Sequence, residues 1–320
     1  MNFFYCNQNK NYLIFSLLLI YAFLYIIQIE NFNNRYNFIV YNNISNYQNN
    51  RCYELSDKSN ITIIHIIATR FMIEFHHKND FPNKLYNKDY IENGIRVLNK
   101  YLLSSLEHQT CNLFTWVLMV GEKADINFIK SKIKNNKKFR IVILYQKDFK
   151  IFIKNISRGC DILITTRIDY DDMIYYDAVN DVRKAINLEK PMVLYGYMHG
   201  FHYFEFNNKY YEFIIRNGTN GTWSVFISLI IVISHVNDLY TIYDLGSHTY
   251  VRKQLLNMYK SYGIKRLNYE PAIFDNGAHK FVYVKQRYST TYVKKNILSL
   301  IKKLKEKKFD LKKFYGYYHI

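Results

Sequence analysis

No two of the four cysteines (Cys6, Cys52, Cys111 and Cys160) stand as a CxxC pair, which argues against a zinc site built on cysteines. Zinc-finger spacing, an RNA-binding aromatic signature and heptads behind a basic region are all missing, so a nucleic-acid partner has no motif to rest on. Acidic residues are few: 26 Asp and Glu against 44 Lys and Arg leave a formal charge of +18. A basic surplus favours polyanions such as nucleic acid, anionic lipid or the diphosphate of a nucleotide. Lysines scattered through Asn-rich stretches also read as an ordinary solvated surface. What is plentiful is apolar. An apolar share of 49%, with 32 Tyr and 23 Phe, rules out a disordered or collagen-like chain. At 320 residues the chain is long enough to bury a core in one large domain or two small ones. Three cysteines follow the first apolar segment, so at most one bridge forms among them, and the count leaves the redox compartment open.

That first apolar segment, residues 12–29, is uncharged and lies between Lys10 and Glu30. At roughly 1.5 Å per residue it spans about 27 Å, close to the hydrocarbon thickness of a bilayer. It is too long for an ordinary signal peptide, and no small-x-small cleavage site follows it. An uncleaved transmembrane helix is expected, single-pass, with a cytoplasmic N-terminus on the strength of Lys10. The membrane would be that of the Golgi or ER in a eukaryote and the cell membrane in a bacterium. The organisation is then a short tail (1–11), the anchor (12–29), a stem rich in Asn, Tyr and Ser (30–58), a folded domain (59–290) and a basic tail (291–320). Sequons at Asn43, Asn60, Asn155, Asn217 and Asn220 favour a luminal domain only slightly, since several arise by chance in an Asn-rich chain.

In the folded domain, buried strands alternate with helical spacing. ITIIHIIA from Ile61, FTWVLMV (114–120), RIVILY (140–145) and DILITTRI (161–168) are near-continuous apolar runs, as expected of parallel strands covered on both faces. Between them Ile91, Ile95, Leu98, Leu102 and Leu106 fall at helical spacing, and a second helix is expected near 124–133. The pattern predicts an α/β domain with a mainly parallel, Rossmann-like sheet and flanking helices. Further on, FHYFEF and KYYEFII predict a hairpin about Asn207-Asn208. Residues 223–234 read as a buried strand, Ser247 as the cap of a helix to about Tyr259, and 294–313 as a basic amphipathic helix. That last helix reads either as a solvated terminal helix or as a contact with anionic lipid.

Ligands of open α/β sheets bind beyond the carboxyl ends of the strands. Polar residues gather at three such ends: Thr69-Arg70, Gly121-Glu122, and Arg167 through Asp172. In extended backbone Asp169 and Asp171 would project to one side. Two carboxylates about 4 Å apart repel by roughly 4 kcal/mol at an effective dielectric near 20, so a cation or donors must offset them. Hard oxygen ligands suit Mg²⁺ or Mn²⁺. The plain alternative is an acidic cap, from Asp172 alone, for a helix starting near Met173.

Arg167-Ile-Asp-Tyr-Asp-Asp172 resembles the aspartate motif of GT-A-fold glycosyltransferases. SSLEHQTCNLFTWVLMVGEKAD (104–125), with Gln109-Thr110 and Trp116, is similar to the helix–strand segment of family-2 glycosyltransferases. With Thr69-Arg70-Phe71 the likeness is greatest to the rhamnosyltransferase branch. The resemblance covers roughly 60–250 and implies transfer of a sugar from a nucleotide-sugar donor to a glycan, lipid or protein acceptor, with Mn²⁺ or Mg²⁺ as cofactor. It implies that Asp171 ligates the metal and that Asp169 contacts metal or ribose, with Thr69, Arg70 and Glu122 beside the nucleotide. Arg167 is placed either on the diphosphate or on Asp169. His248 is a further candidate metal or phosphate ligand, and Asp238 and Asp244 are candidate bases for an inverting transfer. The rival readings are another metal-dependent nucleotide enzyme, a nucleotidyltransferase or sugar-nucleotide hydrolase, and a non-catalytic membrane adaptor of the same fold.

Overall fold

The computed structural model describes residues 61–72, 87–134, 136–205, 207–214, 226–246, 251–261, 272–275, 280–285 and 306–316, with the backbone of a two-residue strand β1 (Ile39–Val40). The chain divides into two compact units, Met1–Ile39 and Val40–Ile320. The anchor over 12–29 and nearly all of the stem lie outside the described residues. Among the described residues no helix is long and apolar enough to cross a membrane.

The larger sheet of the second unit is built from the apolar runs. Its strands lying wholly in this unit are β2 (Ile63–Phe71), β3 (Thr115–Val120), β4 (Arg140–Tyr145), β5 (Ile162–Arg167), β7 (Met192–Tyr197), β10 (Ile227–Val232) and β11 (Ala272–Asp275). Their order is β4-β3-β2-β5-β10-β7-β11. The block β4-β3-β2-β5 is parallel, with Ile67 level with both Trp116 and Thr166. Strand β10 runs antiparallel between β5 and β7 and is buried along its whole length, so the strand expected within 223–234 is a central one, over Ile227–Val232. The sheet is therefore mainly parallel but carries one reversed strand at its middle.

Helices flank it, three of them where the sequence placed them, near 91–107, 124–133 and up to Tyr259, and two, after β4 and before β7, that were not expected. Helix α1 (Lys88–Leu98) is capped by Asn87, whose side chain accepts from the amides of Asp89 and Tyr90. It buries Ile91, Ile95 and Leu98 and runs on through a π-helical stretch, Asn99–Leu103, into α2 (Ser104–Glu107). Helices α3 (Ile126–Lys132, capped by Asp125), α4 (Phe149–Ile156) and α5 (Ala178–Lys184) follow β3, β4 and the two-residue strand β6 (Met173–Ile174). Helix α6 (Val251–Ser261) packs Val251, Leu255 and Tyr259 against β7 and β10; Ser247, expected to cap it, lies outside the described residues.

A second, four-stranded sheet was not expected. Its order is β6-β12-β8-β9, from Met173–Ile174, Phe281–Lys285, His199–Phe204 and Lys209–Ile214. The expected hairpin is its β8–β9 edge, with Asn208 at φ +55° and its side chain accepting from the Tyr203 hydroxyl at 2.7 Å. Strands β8 and β12 approach so closely at Gly200 that a Cβ there would lie 2.6 Å from the Phe281 carbonyl oxygen. The helix expected over 294–313 is not continuous where it is described. Glu306 bridges Tyr211, and Asp310 caps the short α7 (Leu311–Phe314). The cause is aromatic packing: Phe309 stacks on Tyr210 at 4.2 Å, and Phe314 and Tyr315 bury themselves with Phe201 and Val282.

Candidate functional site

The parallel block brings the carboxyl ends of β3, β2 and β5 side by side. Arg167 is level with Ala68, and Arg70 lies two residues on from Ala68, so both arginines leave the same face of the sheet. A residue absent from the sequence-based site lies against them. The Arg70 guanidinium lies 4.4 Å and that of Arg167 5.6 Å from the Tyr243 ring centroid. Tyr243 is fixed in turn by its hydroxyl, which donates to the Ala68 carbonyl at 2.9 Å. The loop bearing it is shaped by Asp244, whose carboxylate accepts from the Thr241 amide at 2.7 Å and hydroxyl at 2.9 Å, and by Gly246 at φ +72°. Thr-x-x-Asp followed by Gly was the available signal for a folded-back loop here.

Arg167 is thus preset but weakly used. Arg167, with a side chain only 12% exposed, reaches the Gly246 carbonyl at 3.5 Å and the Asp169 carboxylate at 3.8 Å, both long contacts. Burial holds the Arg70 guanidinium below its ordinary value; Tyr243 and Asp169 oppose that shift, and Arg167 adds to it. A burial-driven rise in the Tyr243 phenol is opposed by the same two arginines. An anionic ligand would relieve the repulsion between the guanidinium groups.

Past Arg167 the backbone leaves the extended form. The Asp172 amide donates to the Asp169 carbonyl at 3.2 Å, closing a turn, so the alternation argument for Asp169 and Asp171 does not apply. Tyr170 pins the turn, packing edge-on against Phe71 at 5.3 Å, and burial drives its phenol well up, with Asp171 adding to the effect. The three carboxylates part company here. Asp169 keeps a side chain 35% exposed beside Arg167. Asp171 is 9% exposed and close enough to Tyr90 of α1 to add to the burial that raises that phenol. Asp172 is fully buried and accepts from the Val284 amide at 3.1 Å. It caps no helix, because strand β6 begins at Met173; it ties the turn to the second sheet.

Other candidates have structural occupations. Thr69 is fully buried, its hydroxyl accepting from the Trp116 indole at 3.0 Å, and it supports the strand end from within. Gln109 binds the backbone of Ser105, Tyr175 and Val179, and Thr110 the Asp177 carboxylate, so that pair joins α2 to the segment after the aspartates. Glu122 is exposed beyond β3 and pairs with Lys147 at 3.0 Å. Asp244 spends one carboxylate oxygen on Thr241 and sets the other 3.7 Å from Lys150. Because β10 is antiparallel, it delivers Ile233 to the amino end of β5, against the Asp161 carbonyl, and the exposed Asp238 follows there. His248 lies outside the described residues. Cys111 is disulfide-bonded to a partner outside the described residues, whereas Cys160 is a buried free thiol.

Among the described residues no three His, Cys, Asp or Glu side chains converge as a metal cage. Asp169 and Asp171 are hard oxygen donors of the kind that suits Mg²⁺ or Mn²⁺, but they leave one short turn beside different neighbours, Arg167 and Tyr90.

Compared with known proteins, residues 67–225 match the family described as "Putative rhamnosyl transferase". The match takes in Arg70, Glu122, Arg167 and the aspartate turn and ends before Tyr243. The likeness to GT-A glycosyltransferases read from the sequence holds over that segment. No curated protein matches the chain. Among solved structures, a putative nucleotide-diphospho-sugar transferase from Desulfovibrio desulfuricans G20 is similar at 8% identity, over 69% of this chain and 82% of that one, with a TM-score of 0.33. A putative glucose-1-phosphate thymidylyltransferase from Bacillus anthracis shares 10% identity over 69% and 89%, with a TM-score of 0.35. The inositol-1-phosphate CTP transferase from T. maritima shares 9% over 76% and 96%, with a TM-score of 0.34. Similarity this distant says nothing of the chemistry here.

Proposed function

We propose that this chain is a metal-dependent glycosyltransferase whose donor diphosphate sits at the carboxyl ends of β2 and β5. The observation that carries the reading is the pair of arginines, Arg70 and Arg167, held over one tyrosine ring inside the segment that matches a sugar-transferring family. Guanidinium groups grip phosphate oxygens by paired hydrogen bonds, and here their approach angle is fixed before the donor arrives. Nucleoside-diphosphate rhamnose is the first donor to test, given the family description.

In the reaction the bond from the anomeric carbon to the diphosphate oxygen breaks and the acceptor hydroxyl oxygen takes its place. The acceptor proton goes to a base, and the nucleoside diphosphate leaves. Asp171 and Asp169 would hold the divalent cation, with Asp171 the principal ligand. The cation supplies Lewis-acid stabilisation of the charge on the departing diphosphate. Arg70 and Arg167 neutralise that group from the other side, and Tyr243 keeps them in place. Inversion at the anomeric carbon follows the family likeness. The acceptor is a glycan, lipid or protein hydroxyl.

The chain is held in a bilayer by residues 12–29, with its catalytic unit outside the cytosol. What supports that side is the disulfide of Cys111, since such bonds persist in oxidising compartments. A thermal-shift screen of nucleoside diphosphates and sugar nucleotides, with and without Mn²⁺, tests the proposal. Stabilisation by one nucleoside diphosphate series, increased by Mn²⁺, is expected. No nucleotide stabilising the wild type, or equal stabilisation of Arg70→Gln and Arg167→Gln variants, would sink it.

A further inference from the structure

The opposite end of the parallel block has a cavity of its own. It has a volume of about 450 Å³ and is lined by Ile63 and His65 of β2, the segment from Asn112 to Thr115 entering β3, Arg140 at the start of β4, and Arg183 of α5. Strand rise separates it from the Arg70–Arg167 pair by roughly 20 Å, so it is a separate place.

Its polar groups are mostly donors, with the buried Asn112 Oδ1 an acceptor among them. The Arg140 Nε is buried and makes no hydrogen bond, and Arg140 forms no ion pair among the described residues. His65 is 2% exposed; its Nε2 is 2.8 Å from the Thr166 hydroxyl, which in turn bonds Ser228, while its Nδ1 is buried with no partner. With Thr166 donating to Nε2, Nδ1 carries the hydrogen and is a second buried donor lacking an acceptor. Arg183, 6% exposed, brings another guanidinium to the same cavity. No carboxylate occurs among its described lining residues. The Arg140 Nε and the His65 Nδ1, buried in this state, are costly, and a ligand that only accepts hydrogen bonds would relieve them. Donor groups brought by three separate elements, β2, β4 and α5, suit an oxyanion with several acceptor oxygens, such as a phosphate. The remaining walls are apolar: Phe114 is buried, and Leu113 is 46% exposed, unusual for so large an apolar side chain.

We propose that this cavity binds a phosphomonoester with an apolar body, its phosphate on Arg140, Arg183 and His65 and its body along Leu113 and Phe114. The site is independent of the donor site. Calorimetric titration of the full chain in detergent with hexyl phosphate, inorganic phosphate and hexanoate tests it. Saturable binding of hexyl phosphate is expected, at least tenfold tighter than either of the others. Arg140→Gln should weaken it tenfold or more while leaving nucleoside diphosphate binding at the donor site unchanged. Leu113→Ser should weaken hexyl phosphate but not inorganic phosphate, which separates a lost wall from a damaged fold. Failure to bind hexyl phosphate, equal affinity for inorganic phosphate or hexanoate, insensitivity to Arg140→Gln, or displacement by the nucleotide would each overturn the proposal. Apart from displacement by the nucleotide, none of these outcomes bears on whether the nucleotide binds to Arg70 and Arg167.

Discussion

Replacing Tyr243 separates two ways in which the donor site could work. In Tyr243→Ala the platform under Arg70 and Arg167 is gone, while both charges remain. The closer contact, at 4.4 Å and partly desolvated, is worth about 1–2 kcal/mol, and the one at 5.6 Å, near the limit of such attraction, about 0.5 kcal/mol. A loss of about 2 kcal/mol of preorganisation corresponds to roughly 30-fold weaker binding of the nucleoside diphosphate. Tyr243→Phe keeps the ring and loses only the hydrogen bond to the Ala68 carbonyl, about 1 kcal/mol of stability, so its affinity should stay within about threefold of wild type. Calorimetric titration of the tightest-binding nucleoside diphosphate into wild type and both variants reads this directly. A Tyr243→Ala protein that binds within twofold of wild type would refute the reasoning, because the arginines would then need no platform.

Asp171→Asn should fold normally yet lose at least roughly 100-fold in transfer rate, since each 1.4 kcal/mol of leaving-group stabilisation is about tenfold; near-normal transfer with unchanged Mn²⁺ dependence would remove Asp171 from the metal site. Asp172→Ala should cost about 1–3 kcal/mol of stability in urea unfolding, because the buried Val284 amide loses its acceptor; a loss below about 0.5 kcal/mol would contradict that role. His65 gives a pH signature. Burial, with Arg183 adding to it, pushes its imidazole down to about 3, below the ordinary 6.5 of the unfolded chain. The unfolded state therefore binds the proton first, and stability falls by about 1.4 kcal/mol per pH unit as pH drops below about 6.5, with no such penalty above it. Denaturation of wild type and His65→Gln between pH 7.5 and 4.5 should show that slope only in wild type; identical slopes would mean that His65 does not stay neutral.

The parallel block was legible because strands covered on both faces read as unbroken apolar runs, and RIVILY maps onto β4 residue for residue. Strand β6 was hidden for the opposite reason: two residues have no periodicity, and its pairing partner lies more than a hundred residues away. That distance also concealed Asp172, whose acidic-cap reading was locally sound but yielded to Val284. Arg70, Arg167 and the aspartates were visible as polar residues at strand ends. Tyr243 was not, because an aromatic residue among 32 tyrosines carries no signal until the sheet brings the loop back to Ala68. Thr69 and Trp116 were both picked out, yet only the folded register shows that they bond each other.

The central claim is sugar transfer from a nucleoside diphosphate at this site, and the products of one incubation test it most directly. The purified protein, given a nucleoside-diphosphate rhamnose series, Mn²⁺ and acceptor extracts, should release nucleoside diphosphate in step with a glycosylated product. Release of pyrophosphate, or of a nucleoside triphosphate when pyrophosphate is supplied, would contradict it and place the chain among nucleotidyl-transferring enzymes instead.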